Sequence, residues 1–307
     1  MHPVRLKPGD TIGIVSPSTP VTQNLEQQFQ SGMQYLKSLG FNIKEGKSIR
    51  STSWGYCASP QEKADDINTM FADQSVQAIV CSQGGETTNA CLPYIDWKNI
   101  RNNPKIFVGI SDISVLLNAI YYKTGLITFH GNDIIWGWGR TPTKYDRDGF
   151  ISRLVDGHTG SIQSNGARQT IRSGCGEGKL LGGNLRCLLK LAGTEFFPDL
   201  SDAIYFVEAM NIIPEECDCL FQQLRQLGVF DKIRGVIVGY IYKLQRHESR
   251  YEQMEQVLVR VTADYGFPIL KVNDFGHNCP NTVIPIGSTV RMDADKQIIE
   301  IVEGFIE

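Results

Sequence analysis

The chain has 307 residues, 41% of them apolar and 21% charged, with a formal net charge of -3 at pH 7. That length buries a sizeable core and lies where one core tends to divide, so two domains are expected. The slightly acidic balance removes any electrostatic case for nucleic acid or an anionic membrane surface as partner.

Met1 to Asp10 holds no apolar leader core and runs directly into the first strand, so no signal peptide is expected. Thr11 to Val15 reads as that strand, ending in Ser16-Pro17-Ser18. Residues 23–39 form an amphipathic helix closed by Gly40, and Phe41 to Ile43 begin a second strand. Ser59-Pro60-Gln61-Glu62 is a capping box with proline at the first helical position, opening a helix to about Ala72. Ala78 to Cys81 is a buried strand followed by Ser82-Gln83-Gly84-Gly85, and residues 87–93 look helical. Lys105 to Ile110 is another strand, Ser111 opens a helix of apolar spacing to Tyr122, and Leu126 to Phe129 is a strand. Such alternation predicts an α/β fold, a parallel sheet covered by helices on both sides. Ligands bind such sheets beyond the carboxyl ends of the strands. Ser16, Gly84, Gly85, Ser111 and His130 all stand at those ends.

The alternation weakens after Gly139. Residues 144–155 read as a helix, and residues 157–179, rich in Gly, Ser and Thr, as a linker with short strands. A second α/β unit follows, with helices near 184–192, 215–227 and 249–264 and strands at 203–207 and 235–239. The expected division is an N-terminal α/β domain over 1–165 and a smaller C-terminal α/β domain over 166–307. No apolar run approaches the roughly 20 residues that span a bilayer. The eight cysteines include no Cys-x-x-Cys, and Cys187, Cys217 and Cys219 fall in helical patterns as buried thiols, so a reduced, cytoplasmic location is expected.

The most informative stretch is Val108-Gly109-Ile110-Ser111-Asp112. A serine at a sharp strand-to-helix junction exposes its hydroxyl and has helix N–H groups behind it. Ser111 is equally a good helix cap. Three features bear on the choice. Gly84-Gly85 turns tightly after a buried strand and leaves N–H groups able to stabilise an oxyanion, although such a pair is often only a turn. Glu208 ends a buried strand, where it can orient a histidine or serve as an ion-pair partner or cap. His277 follows Gly276 in a loop and is a candidate general base, with His130 as its rival. No metal-ligand spacing and no phosphate loop occur, so no metal or cofactor is expected.

With these residues assembled, the chain resembles the LD-carboxypeptidase family of serine peptidases. The family includes muramoyltetrapeptide carboxypeptidases and microcin C self-immunity peptidases. The resemblance runs nearly end to end, over Leu6 to Ser18, Gly84-Gly85, Leu92 to Asp96, Val108 to Asp112, Gly178 to Leu185, Ala203 to Glu208, Asp274 to His277 and Ile284 to Gly287. It implies a triad of Ser111 as nucleophile, His277 as base and Glu208 as orienter, with the backbone N–H groups of Gly85 and Asp112 as oxyanion hole. It also implies an N-terminal domain like class I glutamine amidotransferases, a peptide or muropeptide substrate and a homodimer. Many cell-wall-recycling members carry Arg-Gly-Gly-Tyr-Gly where this chain has Gln83 to Thr87. Here Gly-Gly, Asn89 and Leu92 to Asp96 look more like the immunity branch. That branch carries a long insertion with a nucleobase-stacking Trp, whereas 157–179 holds none, and Trp136 and Trp138 lie upstream. The leading expectation is cleavage of the L,D-peptide bond to a C-terminal D-amino acid in muropeptides. The alternatives are cleavage of a microcin-like peptide–nucleotide conjugate and a non-enzymatic α/β small-ligand-binding protein.

Overall fold

The computed structural model describes residues 1–248 and 250–307. The first half contains β1 (Thr11–Val15), α1 (Glu26–Ser38), β2 (Asn42–Glu45), α2 (Pro60–Ala72), β3 (Ala78–Cys81), α3 (Trp97–Asn102), β4 (Ile106–Gly109), α4 (Ser114–Thr124), β5 (Thr128–His130) and α5 (Lys144–Phe150). The second half contains β6 (Gly160–Ser161), β7 (Gln169–Arg172), β8 (Cys175–Asn184), α6 (Leu185–Leu189), β9 (Ala203–Glu208), α7 (Pro214–Gln226), β10 (Gly235–Tyr240), α8 (Tyr242–Arg246), α9 (Met254–Val261), β11 (Ile269–Gly276), β12 (Ile284–Ile286), β13 (Thr289–Asp293) and β14 (Ile298–Ile301).

Two sheets organise these elements. One runs β12-β5-β4-β3-β1-β2, the other β6-β14-β13-β8-β9-β10-β11-β7. The five strands of the first half pair in parallel, as do β8, β9, β10 and β11. This is the α/β architecture expected, since buried β-branched runs such as Ile12-Gly-Ile-Val15 need cover on both faces. The two sheets are not confined to the two halves of the chain, because β12 returns from the C-terminal part to pair antiparallel with β5.

Local signals act where they were expected. Ser59 Oγ accepts from Glu62 N while Glu62 accepts from Ser59 N, which closes the capping box of α2. Two expectations change. The helix expected over 249–264 is confined to Met254–Val261, with the short α8 ahead of it, and residue 249 lies outside the described residues. Cys187 and Cys217 are buried, but Cys219 is exposed because it falls on the outer face of amphipathic α7. No helix among the described residues is long and apolar enough to cross a membrane.

Helix α4 decides how the two sheets meet. It is apolar almost all round, and Ser114 to Ile120 are buried without interruption, as suits a helix covered on every side. Its Asn118 reaches the second sheet: Nδ2 donates to Gly182 O (2.7 Å), and Oδ1 accepts from Gly182 N (3.2 Å). Asn184 N donates to Ser114 Oγ at 3.0 Å. The end of β8 is thereby fastened to the first turn of α4. Asn118→Ala removes both of these hydrogen bonds from buried groups and is expected to cost about 2–4 kcal/mol. Urea unfolding measures this, as a lower midpoint with unchanged slope.

Candidate active site

Ser111 sits between the end of β4 and the start of α4 with φ +64°, a left-handed backbone for a residue that carries a Cβ. Ile110 before it is extended, so the chain reverses direction within one residue and lifts the serine clear of the strand. Gly84 packs directly against it. A Cβ on Gly84 would stand 2.6 Å from Ser111 Cβ and 2.9 Å from its Oγ. Gly85 has φ +147°, which L side chains rarely adopt. The N–H groups of Gly85 and Asp112 donate to no protein acceptor among the described residues.

The side chain of Asp112 is fully buried and acts as a hub. It accepts from Ser18 Oγ (2.5 Å), Thr88 N (2.9 Å) and Lys190 Nζ (2.6 Å). Burial raises its pKa, but the Lys190 ammonium and these hydrogen bonds prevail and hold it below the usual carboxylate range. Lys190 also donates to Glu86 O at 3.0 Å. It therefore ties the segment after α6 to both the Gly84–Thr88 loop and the Ser111 turn.

The second sheet positions Glu208 and His277. Glu208 ends β9, fully buried, in register with Asn184 at the end of β8. His277 Nδ1 and Glu208 Oε2 lie 2.5 Å apart, and Asn184 Nδ2 donates to Glu208 Oε1 at 3.0 Å. Burial alone would raise the Glu208 pKa, yet the imidazole beside it holds the carboxyl below its ordinary value. Burial likewise depresses His277, but the Glu208 charge and hydrogen bond outweigh it, with Asp133 adding to them, and its pKa is raised. No hydrogen bond joins Ser111 Oγ to His277 among the described residues. The two halves are linked through Asn184, which bonds Glu208 with its side chain and Ser114, three residues after Ser111, with its backbone.

The loop bearing His277 is set from both sheets. Between Lys271 and Gly276, four residues of β11 oppose a single residue of β10. This large bulge ends the pairing and turns the chain toward the first sheet. Asn281 then accepts from Gly276 N (2.8 Å), donates Nδ2 to Asn132 Oδ1 (3.1 Å) and donates its N–H to Asp146 Oδ1 (2.8 Å).

Of the two histidines singled out, only His277 meets a carboxylate. His130 is fully buried, with the rings of Phe206 and Phe275 edge-on at 5.4 and 5.8 Å, and neither ring nitrogen has a hydrogen-bond partner among the described residues. Burial pulls its pKa down to about 4, so it is neutral at pH 7. Ser16, also placed at a strand end, is buried and bonded to Ser82 Oγ at 2.6 Å. Asn184, Asn281 and Lys190 were not singled out by sequence. The polar Asn184 after Gly182-Gly183 at a strand end was a usable signal, whereas Lys190 looks like any solvated helix lysine. No cluster of metal-ligating side chains occurs among the described residues.

Comparison with known proteins agrees along the chain. The sequence profile of the LD-carboxypeptidase N-terminal domain matches residues 12–131, and that of the LD-carboxypeptidase C-terminal domain matches residues 177–292. The chain is 30% identical to the microcin C7 self-immunity protein MccF of Escherichia coli, over 99% of this chain and 97% of that one. It is also 30% identical to a probable murein peptide carboxypeptidase of Bacillus subtilis, over 99% and 95%. The solved structure of MccF in its wild-type apo state superposes with a TM-score of 0.92 at 28% identity, covering 100% of both chains. These matches set aside the alternative of a non-enzymatic ligand-binding protein. The chain belongs to the LD-carboxypeptidase family and is a serine-type carboxypeptidase.

Proposed function

We propose that Ser111, His277 and Glu208 form a catalytic triad that releases the C-terminal residue of a peptide, with the L,D-bond of muropeptides as the leading substrate. The observation that carries this is the 2.5 Å contact between His277 Nδ1 and buried Glu208, together with the left-handed Ser111. Glu208 fixes the tautomer and leaves His277 Nε2 as the basic nitrogen. Nε2 takes the Ser111 proton as Oγ attacks the carbonyl of the penultimate residue. The N–H groups of Gly85 and Asp112 receive the oxyanion. The protonated imidazole then gives its proton to the departing amine, and water, activated by the same nitrogen, hydrolyses the acyl-enzyme. The serine–histidine hydrogen bond of such sites commonly tightens only when substrate is bound. The chain would divide near residue 165, with the triad drawn from both domains, and act as a cytoplasmic homodimer.

Murein-named relatives in Bacillus subtilis and Pseudomonas aeruginosa support the muropeptide substrate. A second substrate class, an aminoacyl-nucleotide conjugate, is favoured by the exposed indole of Trp136 beside Gln83. MccF has been solved in complex with glutamyl sulfamoyl guanosine. Mass spectrometry after incubation with each substrate separates the two. Loss of one terminal residue from the muropeptide tetrapeptide is expected, and cleavage of the nucleotide conjugate alone would overturn the muropeptide assignment.

Ser111→Ala is expected to lower kcat by about 10³ or more; near wild-type turnover would refute the triad. Only neutral His277 serves as base, and its pKa is raised, so the acid limb of kcat/KM should lie above the ordinary histidine value. Glu208→Gln removes the charge that raises that pKa, so the limb should move to lower pH while the plateau falls, as steady-state kinetics across pH would show. Gly84→Ala places a methyl against Ser111 and should abolish most activity, while the overpacking lowers stability by about 1–3 kcal/mol, read by assay and calorimetry.

A further inference from the structure

Three solvent-reachable cations border the loops of the site, Lys63 beside Thr87 being buried and bonded there, and their partners differ. Lys190 is engaged by Asp112 and by the carbonyl and carboxylate of Glu86. Arg186 is engaged by the Glu216 carboxylate and by Met210 O at 2.7 Å. Arg140 is exposed and has no ion pair among the described residues.

Arg140 is nevertheless held in place. Its Nη1 donates to Asn278 Oδ1 at 2.7 Å, and Asn278 follows His277 directly. Its guanidinium lies 4.6 Å from the centroid of the Trp136 ring. Trp136 Nε1 in turn donates to Gln83 Oε1 at 3.0 Å, and Gln83 precedes Gly84, which packs on Ser111. One planar cation is thus anchored to the loop bearing the proposed base and to the loop bearing a proposed oxyanion donor. Stacking on the indole limits its rotation, so little side-chain entropy is lost when it binds. A guanidinium has five N–H donors, and one is accounted for by Asn278, which leaves donors in the fork geometry that suits a carboxylate.

We propose that Arg140 is the subsite for the free C-terminal α-carboxylate of the substrate, an inference that rests on carboxypeptidase action at Ser111. An exopeptidase must distinguish a chain end from an internal bond, and the chemical mark of that end is an anion one residue beyond the scissile carbonyl. Among these three cations, Arg140 is the one that forms no ion pair with a carboxylate among the described residues, the buried Asp133 acting on it only at longer range. Its attachment to Asn278 ties carboxylate binding to the His277 loop.

Calorimetric titration of the Ser111→Ala protein tests this without turnover. The probes are two tetrapeptides ending in D-alanine, the smallest D-amino acid, one as free acid and one as carboxamide. The acid is expected to bind about 10- to 100-fold more tightly than the amide. Adding Arg140→Gln should erase that difference, and measurable binding of the amide by the same variant shows that it is folded. Arg140→Lys, a charge without the fork, should restore part of the preference. Equal binding of acid and amide to Ser111→Ala, or an acid preference that survives Arg140→Gln, would overturn the assignment. Hydrolysis by the wild-type protein, followed by mass spectrometry, separately decides the carboxypeptidase mechanism. Turnover of the acid with a preference indifferent to Arg140 sinks only the subsite, and Arg140-dependent binding without turnover sinks only the mechanism.

Discussion

A serine held in a left-handed backbone is the constraint on which the rest of the site depends. A side chain at φ +64° costs roughly 1–2 kcal/mol and survives only where neighbours over-determine it. Here β4 fixes the chain on one side and α4 on the other. Asp112, anchored by Ser18, Thr88 and Lys190, prevents the turn from relaxing. A chain reversing at Ser111 also leaves the Asp112 N–H without a protein acceptor among the described residues, beside the hydroxyl. The helix-cap role expected for this serine is not realised: Ile110 and Ile113 hold the N-cap positions, and no side-chain cap hydrogen bond is made there, because the left-handed turn points the serine away from the helix N–H groups it would cap.

The second constraint is the seam between the sheets. Helix α4 is buried from Ser114 to Ile120, so its polar residues there, Ser114 and Asn118, need partners, and they find them in Gly182 and Asn184. Asn184 also bonds Glu208, so the contact that joins the sheets positions the residue that orients His277. Asn281 performs the matching task for the His277 loop, through Asn132 and Asp146 in the first half. Small changes in how the sheets meet would be felt directly in the register between Ser111 and His277.

Electrostatics then sort the titratable groups. Glu208 is buried but stays ionised because an imidazole lies against it, and that imidazole is correspondingly more basic. His130 is equally buried but has aromatic edges for neighbours, so it remains neutral and serves packing. Asp133, pushed up to about 6 by burial, still receives two backbone N–H bonds at the start of the turn that carries Trp136. Environment, more than residue type, separates the histidine bound to a carboxylate from the one that is not.

The strands, the helices of the first half and the strand-end positions of Gly84, Ser111 and Glu208 were legible in sequence, because buried β-branched runs, capping boxes and glycine turns are local signals. The family was legible too, through the order and spacing of short motifs that are weak singly. The choice between His130 and His277 was not local. It turned on which ring meets Glu208 across 69 residues of chain, and only the parallel pairing of β8 with β9 and the bulge in β11 decide that. Lys190 and Arg140 were invisible for the same reason. A lysine at the end of a helix and an arginine in a polar turn look solvated until folding sets one on a buried aspartate and the other on an indole. Sequence by itself determined the elements and the kind of chemistry, since both follow from local periodicity and residue type. The tertiary structure decided which side chains meet, since contacts between distant segments follow from sheet order and from helix α4, buried between the two sheets.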